Sequence, residues 1–84
     1  MKPDKLLERI VLARSDANTD FSDLCTLMHC LGFAERVKGS HHIYSQSDVA
    51  EIVNLQPRGN SAKPYQVKQV RNIILKYRLR LKDE

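Results

Sequence analysis

The sequence predicts an α+β domain in the order helix, helix, three strands, helix, with the strands forming one antiparallel sheet. Three observations carry this reading. Apolar residues recur every three or four positions in two N-terminal stretches and one C-terminal stretch, which is the period of an amphipathic helix. Between those stretches, from Phe33 to Leu55, the period shortens to two, the repeat of a strand with one covered face. The changes of period fall at Gly32, at Gly39-Ser40 and at the Pro57 to Pro64 stretch, where glycine and proline punctuate the chain.

The first helix is expected from Pro3 to about Ala13, with Leu6, Leu7, Ile10 and Val11 on one stripe and Asp4 and Glu8 early in the run. Residues 15–19 are polar and aperiodic and read as a linker. The second helix runs from about Asp20 to Leu31, capped by Thr19 or Asp20, with the stripe Phe21, Leu24, Cys25, Met28 and Leu31. Gly32 closes it as a left-handed cap. Strands are expected at Phe33–Lys38, His41–Ser45 and Ala50–Leu55, with a turn at Gly39-Ser40 and a hairpin loop over residues 45–48. Residues 56–61 read as a loop. The last helix starts near Pro64, a residue suited to the first helical position, and runs to about Arg78 with Val67, Val70, Ile74 and Tyr77 buried. If Ile43, Val53 and Leu55 face the helices, alternation turns His42 and Tyr44 toward solvent on the open face.

Eighty-four residues make one domain. A chain of this length buries only about 60 to 65% of its unfolded surface, which leaves little room for a deep enclosed cavity, and an exposed working face is expected. No apolar run approaches the roughly 18 residues of a membrane span. Glu8, Arg9 and Arg14 interrupt any signal-peptide core at the N-terminus, which points to the cytoplasm. Cys25 and Cys30 sit five apart in a helical pattern, on different sides of the helix, so they are read as reduced thiols rather than a disulfide. Residues 1–57 carry six Lys/Arg and eight Asp/Glu, a sum of −2, while residues 58–84 carry eight and two, a sum of +6. A basic final third on a mildly acidic body suits a polyanionic partner.

Gly39-Ser40-His41-His42 is the sharpest local feature. Glycine lets backbone approach a ligand, turn amides and the Ser40 hydroxyl can hold a phosphate oxygen, and imidazole exchanges protons near neutral pH. Such a group can take the proton of a ribose 2′-hydroxyl or return one to the departing 5′-oxygen, so RNA cleavage needs neither a metal nor a covalent enzyme intermediate. Lys38, Lys63 and Lys68 are candidate cations for the phosphate, and Tyr44 either stacks on a base or packs across strands. Cys25 and His29 have i, i+4 ligand spacing, and Cys30, His41 and His42 are further donors. Without CxxC, HExxH or a telling carboxylate pair, however, no metal and no cofactor is expected. His29 reads as a helix-end residue.

Leu31-Gly32-Phe33, then Arg36-Val37-Lys38-Gly39-Ser40-His41-His42-Ile43-Tyr44, then a strand and a basic helix ending in Ile74-Leu75-Lys76, together resemble the HicA-type mRNA interferase toxins. The resemblance spans about residues 20–80. It implies a double-stranded-RNA-binding-domain-like αβββα fold, cleavage of mRNA with a block on translation, and neutralisation by a HicB-type antitoxin. The family's catalytic histidine falls on His42, not His41, and its turn residues on Gly39 and Ser40. Lys38, Lys63, Lys68 and Arg71 then become the expected backbone contacts.

Two departures stand out. The helix at residues 3–13 is additional, so residues 1–19 are set apart as helix and linker from an RNA-cleaving unit at 20–84. Where many members carry a Pro-x-His-like segment after the third strand, this chain has Pro57-Arg58 and no histidine. The rival expectations are a catalytically silent RNA-binding module of the same fold and a protein-interaction domain whose basic helix docks on an acidic partner.

Overall fold

The computed structural model describes residues 1–82, and in these the expected α+β order is present. Helix α1 spans Pro3–Val11, with proline at its start and Asp4 in its first turn. A single 3₁₀ turn, Asp16–Asn18, stands in the expected linker. Helix α2 spans Phe21–Cys30. Its cap is Asp20, whose carboxylate accepts from the Asp23 amide at 3.0 Å and from the Ser22 hydroxyl at 2.7 Å. Gly32 follows with φ +96°, the left-handed step that turns the chain into the sheet.

Strands β1 (Ala34–Lys38), β2 (His41–Gln46) and β3 (Val49–Leu55) pair antiparallel in that order. The two-residue turn at Gly39-Ser40, with Gly39 at φ +61°, sets Lys38 opposite His41 and thereby fixes the whole β1–β2 register. Strands β2 and β3 lose step between Tyr44 and Gln46, so the hairpin that joins them closes over a bulge.

The loop expected over residues 56–61 is instead a small hairpin, β4 (Pro57–Arg58) with β5 (Ser61–Ala62). Its backbone is tied to the start of α2. The Phe21 amide donates to the Asn60 carbonyl at 2.9 Å, and the Ala62 amide to the Thr19 carbonyl at 2.8 Å. On the other side the buried Gln66 amide, oriented by its partners, pairs with both backbone groups of Gln56 at 3.0 and 3.1 Å.

Helix α3 spans Pro64–Tyr77 and buries Val67, Val70, Ile73 and Ile74. It ends at Arg78, at φ +52°. The following residues return to the core. Leu79 and Leu81 pack against it, and the Lys82 amide donates to the Cys30 carbonyl at 2.7 Å. Tyr77 and Lys76 both bond Glu51 of β3, at 2.6 and 2.8 Å, which fastens α3 to the sheet.

One cluster of buried side chains joins α1, α2, α3 and the inner sheet face. Leu6 and Ile10 are both about 1% exposed within it, and Arg71 of α3 bonds Asp16 and the Ile10 carbonyl. Residues 1–19 therefore share the core of residues 20–82 rather than forming a separate unit. Both cysteines are free and half-buried. No helix among the described residues is long and apolar enough to cross a membrane.

Candidate active site

The register decides which side chains meet. Strand β1 sets Glu35 opposite Tyr44 and Val37 opposite His42, while β3 sets Val53 opposite Tyr44 and Leu55 opposite His42. Directly opposed residues share a face. Glu35, His42, Tyr44, Val53 and Leu55 therefore all point toward the helices. The sequence reading, which put His42 and Tyr44 on the open face, is corrected here. Val53 and Leu55 do face inward, but the inward residues of β2 are His42 and Tyr44. Ile43, expected inside, lies opposite Arg36 and Asn54 on the outer face, where Ile52 is also exposed. Tyr44 is fully buried, which removes it from base stacking.

A buried tyrosine needs a partner for its hydroxyl. Glu35 supplies it, and in doing so becomes the hub of a polar cluster at the edge of the core. The Tyr44 hydroxyl donates to Glu35 Oε2 at 2.7 Å. His42 Nδ1 lies 2.7 Å from the same oxygen, and His29 Nε2, from the last turn of α2, lies 3.1 Å from Oε1. The bonds from His42 first and Tyr44 second hold the Glu35 carboxyl down at about 2, against an ordinary 4.5. An ionised carboxylate at 2.7 Å assigns the His42 proton to Nδ1, leaving Nε2 free to accept one. The His42 ring is wedged edge-on against Phe21, with centroids 5.0 Å apart, and the His29 ring is edge-on to Tyr44 at 5.7 Å. Burial pushes the Cys25 thiol up, and burial together with the bonds to Cys25 and Glu35 pushes the Tyr44 phenol up.

These groups open into a cleft of about 540 Å³. Phe21, Cys25 and His29 of α2 form one wall, Glu35 and His42 the sheet side, and Pro57, Gly59 and Asn60 of the β4–β5 hairpin the other wall. Asp20, Ser22 and Thr26 line it as well, and among the described residues no Lys or Arg does. Arg58 is exposed within the hairpin that forms the second wall. A larger hollow, about 640 Å³, lies between α1 and the 3₁₀ turn, lined by Lys5, Arg9 and Arg14 with Glu8, and Arg9 is engaged. There Arg9 donates to the carbonyls of Arg14, Ser15 and Asn18.

Of the residues expected to cut or contact RNA, His42 and Tyr44 alone belong to this cluster, and Tyr44 acts from beneath the cleft rather than in it. Gly39 and Ser40 sit at the turn, outside the cleft lining, and the Ser40 hydroxyl accepts from Gln56 Nε2 at 2.9 Å. Lys38 and Lys68 are exposed and Lys63 half-exposed, none of them lining the cleft. Arg71 is corrected: its guanidinium is 13% exposed and bonds Asp16 Oδ1 at 2.9 Å, so it braces α3 against the α1 connection. His41, on the outer face, bonds Asn54 at 3.1 Å.

Glu35 is not singled out by the sequence, and His29 is weighed there only as a possible metal ligand beside Cys25 and then read as a helix-end residue. A signal for Glu35 did exist, since a two-residue turn at Gly39-Ser40 counts back to Glu35 opposite Tyr44. His29 carries no such signal, because only the tertiary packing of α2 on β1 brings it to the carboxylate.

The shared carboxylate makes folding pH-dependent. Glu35 has a lower pKa folded than unfolded, so its contribution is present above about pH 4.5 and is lost as pH falls toward about 2. The urea midpoint of the wild-type chain is expected to fall across that window more steeply than that of Glu35→Gln. Equal slopes would show that the carboxylate does not carry the linkage.

No family model matches the chain, and neither a curated protein nor a solved structure does.

Proposed function

We propose that this chain is an endoribonuclease of the toxin type it resembles, cutting mRNA by metal-free proton transfer with His42 at its centre. The observation that carries the reading is the Glu35-braced imidazole of His42 on a cleft that also holds a second imidazole. In this reading His42 Nε2 removes the proton from a ribose 2′-hydroxyl. The resulting oxyanion attacks the adjacent phosphorus, forming a 2′,3′-cyclic phosphate as the P–O5′ bond breaks. Glu35, ionised and 2.7 Å from Nδ1, stabilises the imidazolium that forms. His29, bonded to the other oxygen of the same carboxylate and half-exposed, donates the proton to the departing 5′-oxygen. It takes the place of the histidine absent after β3.

Phosphate charge meets the exposed Arg58 and the open backbone at Gly59, where a Cβ would meet nothing within 4 Å. The basic final third, including Lys63 and Lys68, steers the polyanion toward the cleft. A HicB-type antitoxin in this reading acts by covering the cleft from outside. The two-sided acid–base arrangement favours cleavage over silent RNA binding, because binding alone gives no reason to order two imidazoles on one buried-edge carboxylate.

The test is substrate discrimination in EDTA. Single-stranded RNA is expected to be cut and DNA of the same sequence left intact, since only RNA carries the internal nucleophile. RNA left intact, or DNA cut equally, would overturn the reading.

A further inference from the structure

We propose that the same cleft is a site for a divalent cation of the Zn²⁺ type, held by Cys25, Glu35 and His42 with His29 as fourth ligand. The inference starts from donor chemistry. One ligand atom each from Cys25, Glu35 and His42 all lie within 4.8 Å of one another. His29 Nε2 is already 3.1 Å from the second oxygen of Glu35. One thiolate, two imidazoles and a carboxylate are the donor types that Zn²⁺ takes in four-coordinate sites. Zinc–sulfur and zinc–nitrogen bonds of about 2.3 and 2.0 Å put tetrahedral ligands about 3.5 Å apart. Reaching that spacing moves no pair of Cys25, Glu35 and His42 ligand atoms, now within 4.8 Å, by much more than about an ångström, and the Glu35 contacts to His42 and His29, at 2.7 and 3.1 Å, open slightly rather than close.

The scaffold suits a metal. Cys25 and His29 stand at i and i+4 on one face of α2, and Glu35 and His42 come from adjacent, registered strands. All four rest on regular elements rather than on loops, which keeps a site in shape. Tyr44, fully buried, donates to Glu35 Oε2 and orients the carboxylate from behind, as outer partners of metal ligands do. The electrostatics point the same way. Asp20 joins Glu35 on the lining, and among the described residues no Lys or Arg lies there to compete with a cation. On binding, the thiol proton of Cys25 passes to solvent, while the His42 ring stays neutral, its proton moving from the nitrogen that faces Glu35 to Nε2.

Occupancy takes His42 out of proton transfer. The metal therefore opposes the reaction proposed above, and that consequence, unlike the site itself, rests on the RNA-cleavage reading.

Co²⁺ titrated into the metal-stripped full chain reads the site without any RNA. One equivalent is expected to give tetrahedral cobalt bands with a thiolate-to-cobalt charge-transfer absorption, and Zn²⁺ to bleach them. Cys25→Ser is expected to lose the charge-transfer absorption, while Cys30→Ala keeps it. Should Cys25→Ser not fold, His42→Ala carries the test, with cobalt affinity expected to drop at least about tenfold for a lost ligand. No charge transfer at one equivalent in the wild type, its loss in folded Cys30→Ala, or unchanged affinity in His42→Ala would each overturn the site.

A cleavage assay then separates the two ideas. Stoichiometric Zn²⁺ is expected to stop RNA cutting, and EDTA to restore it. A chain that binds Co²⁺ through Cys25 but never cuts RNA keeps the metal site and loses the nuclease. Cutting unaffected by Zn²⁺ overturns the inhibitory role.

Discussion

Replacing His42 with alanine is expected to slow RNA cleavage by about 10²- to 10⁴-fold, the usual worth of a positioned general acid–base group. The fold is expected to survive. The His42 side chain is a quarter exposed and sits at the cleft edge, and its removal leaves Glu35 still bonded to Tyr44 and His29. The control is the adjacent residue. His41→Ala is expected to cut RNA like the wild type, because His41 lies on the outer face against Asn54. Single-turnover cleavage of one labelled RNA by the three proteins, with their circular dichroism compared, checks this. Equal loss in both variants would mean that the paired histidines act through folding or nonspecific charge. Normal cutting by His42→Ala would remove His42 from the chemistry.

The second large effect concerns α1. Ile10 is about 1% exposed and shares its cluster with α2, α3 and the sheet. Ile10→Ala removes buried methyl and methylene groups and leaves a cavity, which costs about 2 to 5 kcal/mol. In a domain of this size each kcal/mol lowers the melting temperature by about 4 to 8 °C. The loss is thus a sizeable share of the 5 to 15 kcal/mol typical of folded domains, taken as an order of magnitude. Thermal unfolding of Ile10→Ala beside Leu12→Ala is the measurement. Leu12 is half-exposed just past the helix, so its truncation is expected to change little. A negligible shift for Ile10→Ala would mean that α1 is an appendage after all.

These two variants also mark what the sequence could and could not reveal. The stripe Leu6, Leu7, Ile10 and Val11 announced a helix with one buried face, and Leu6 and Ile10 became core. Periodicity cannot say against what a face is buried, so the role of α1 had to come from the fold. The same limit governs the sheet. Alternation established that His42 and Tyr44 share a face, but not which face. The apolar Ile43 suggested that its own side was the inner one. The register reversed this, since a tyrosine whose hydroxyl is satisfied by Glu35 is a larger buried side chain than isoleucine and fills more of the core.

Polar partners that come from distant elements are the least legible in sequence. Arg71 had the look of a free cation on a basic helix, yet Asp16, fifty-five residues earlier, takes it. His29 had the look of a helix end, yet it reaches Glu35 across the α2–β1 junction. In both cases a charge or ring on a helix surface gave no hint of its partner. Only the turn at Gly39-Ser40 carried long-range information, because a two-residue turn fixes every pair that follows it.

The measurement that tests the central claim most directly is the chemical nature of the new ends. RNA incubated with the full chain in EDTA and examined by mass spectrometry is expected to show a 2′,3′-cyclic phosphate, or its hydrolysed 3′-phosphate, opposite a 5′-hydroxyl. A 2′-deoxy substitution at the cut nucleotide is expected to abolish cutting there. A 5′-phosphate opposite a 3′-hydroxyl, or cutting that ignores the missing 2′-hydroxyl, would contradict proton abstraction by His42 from the ribose.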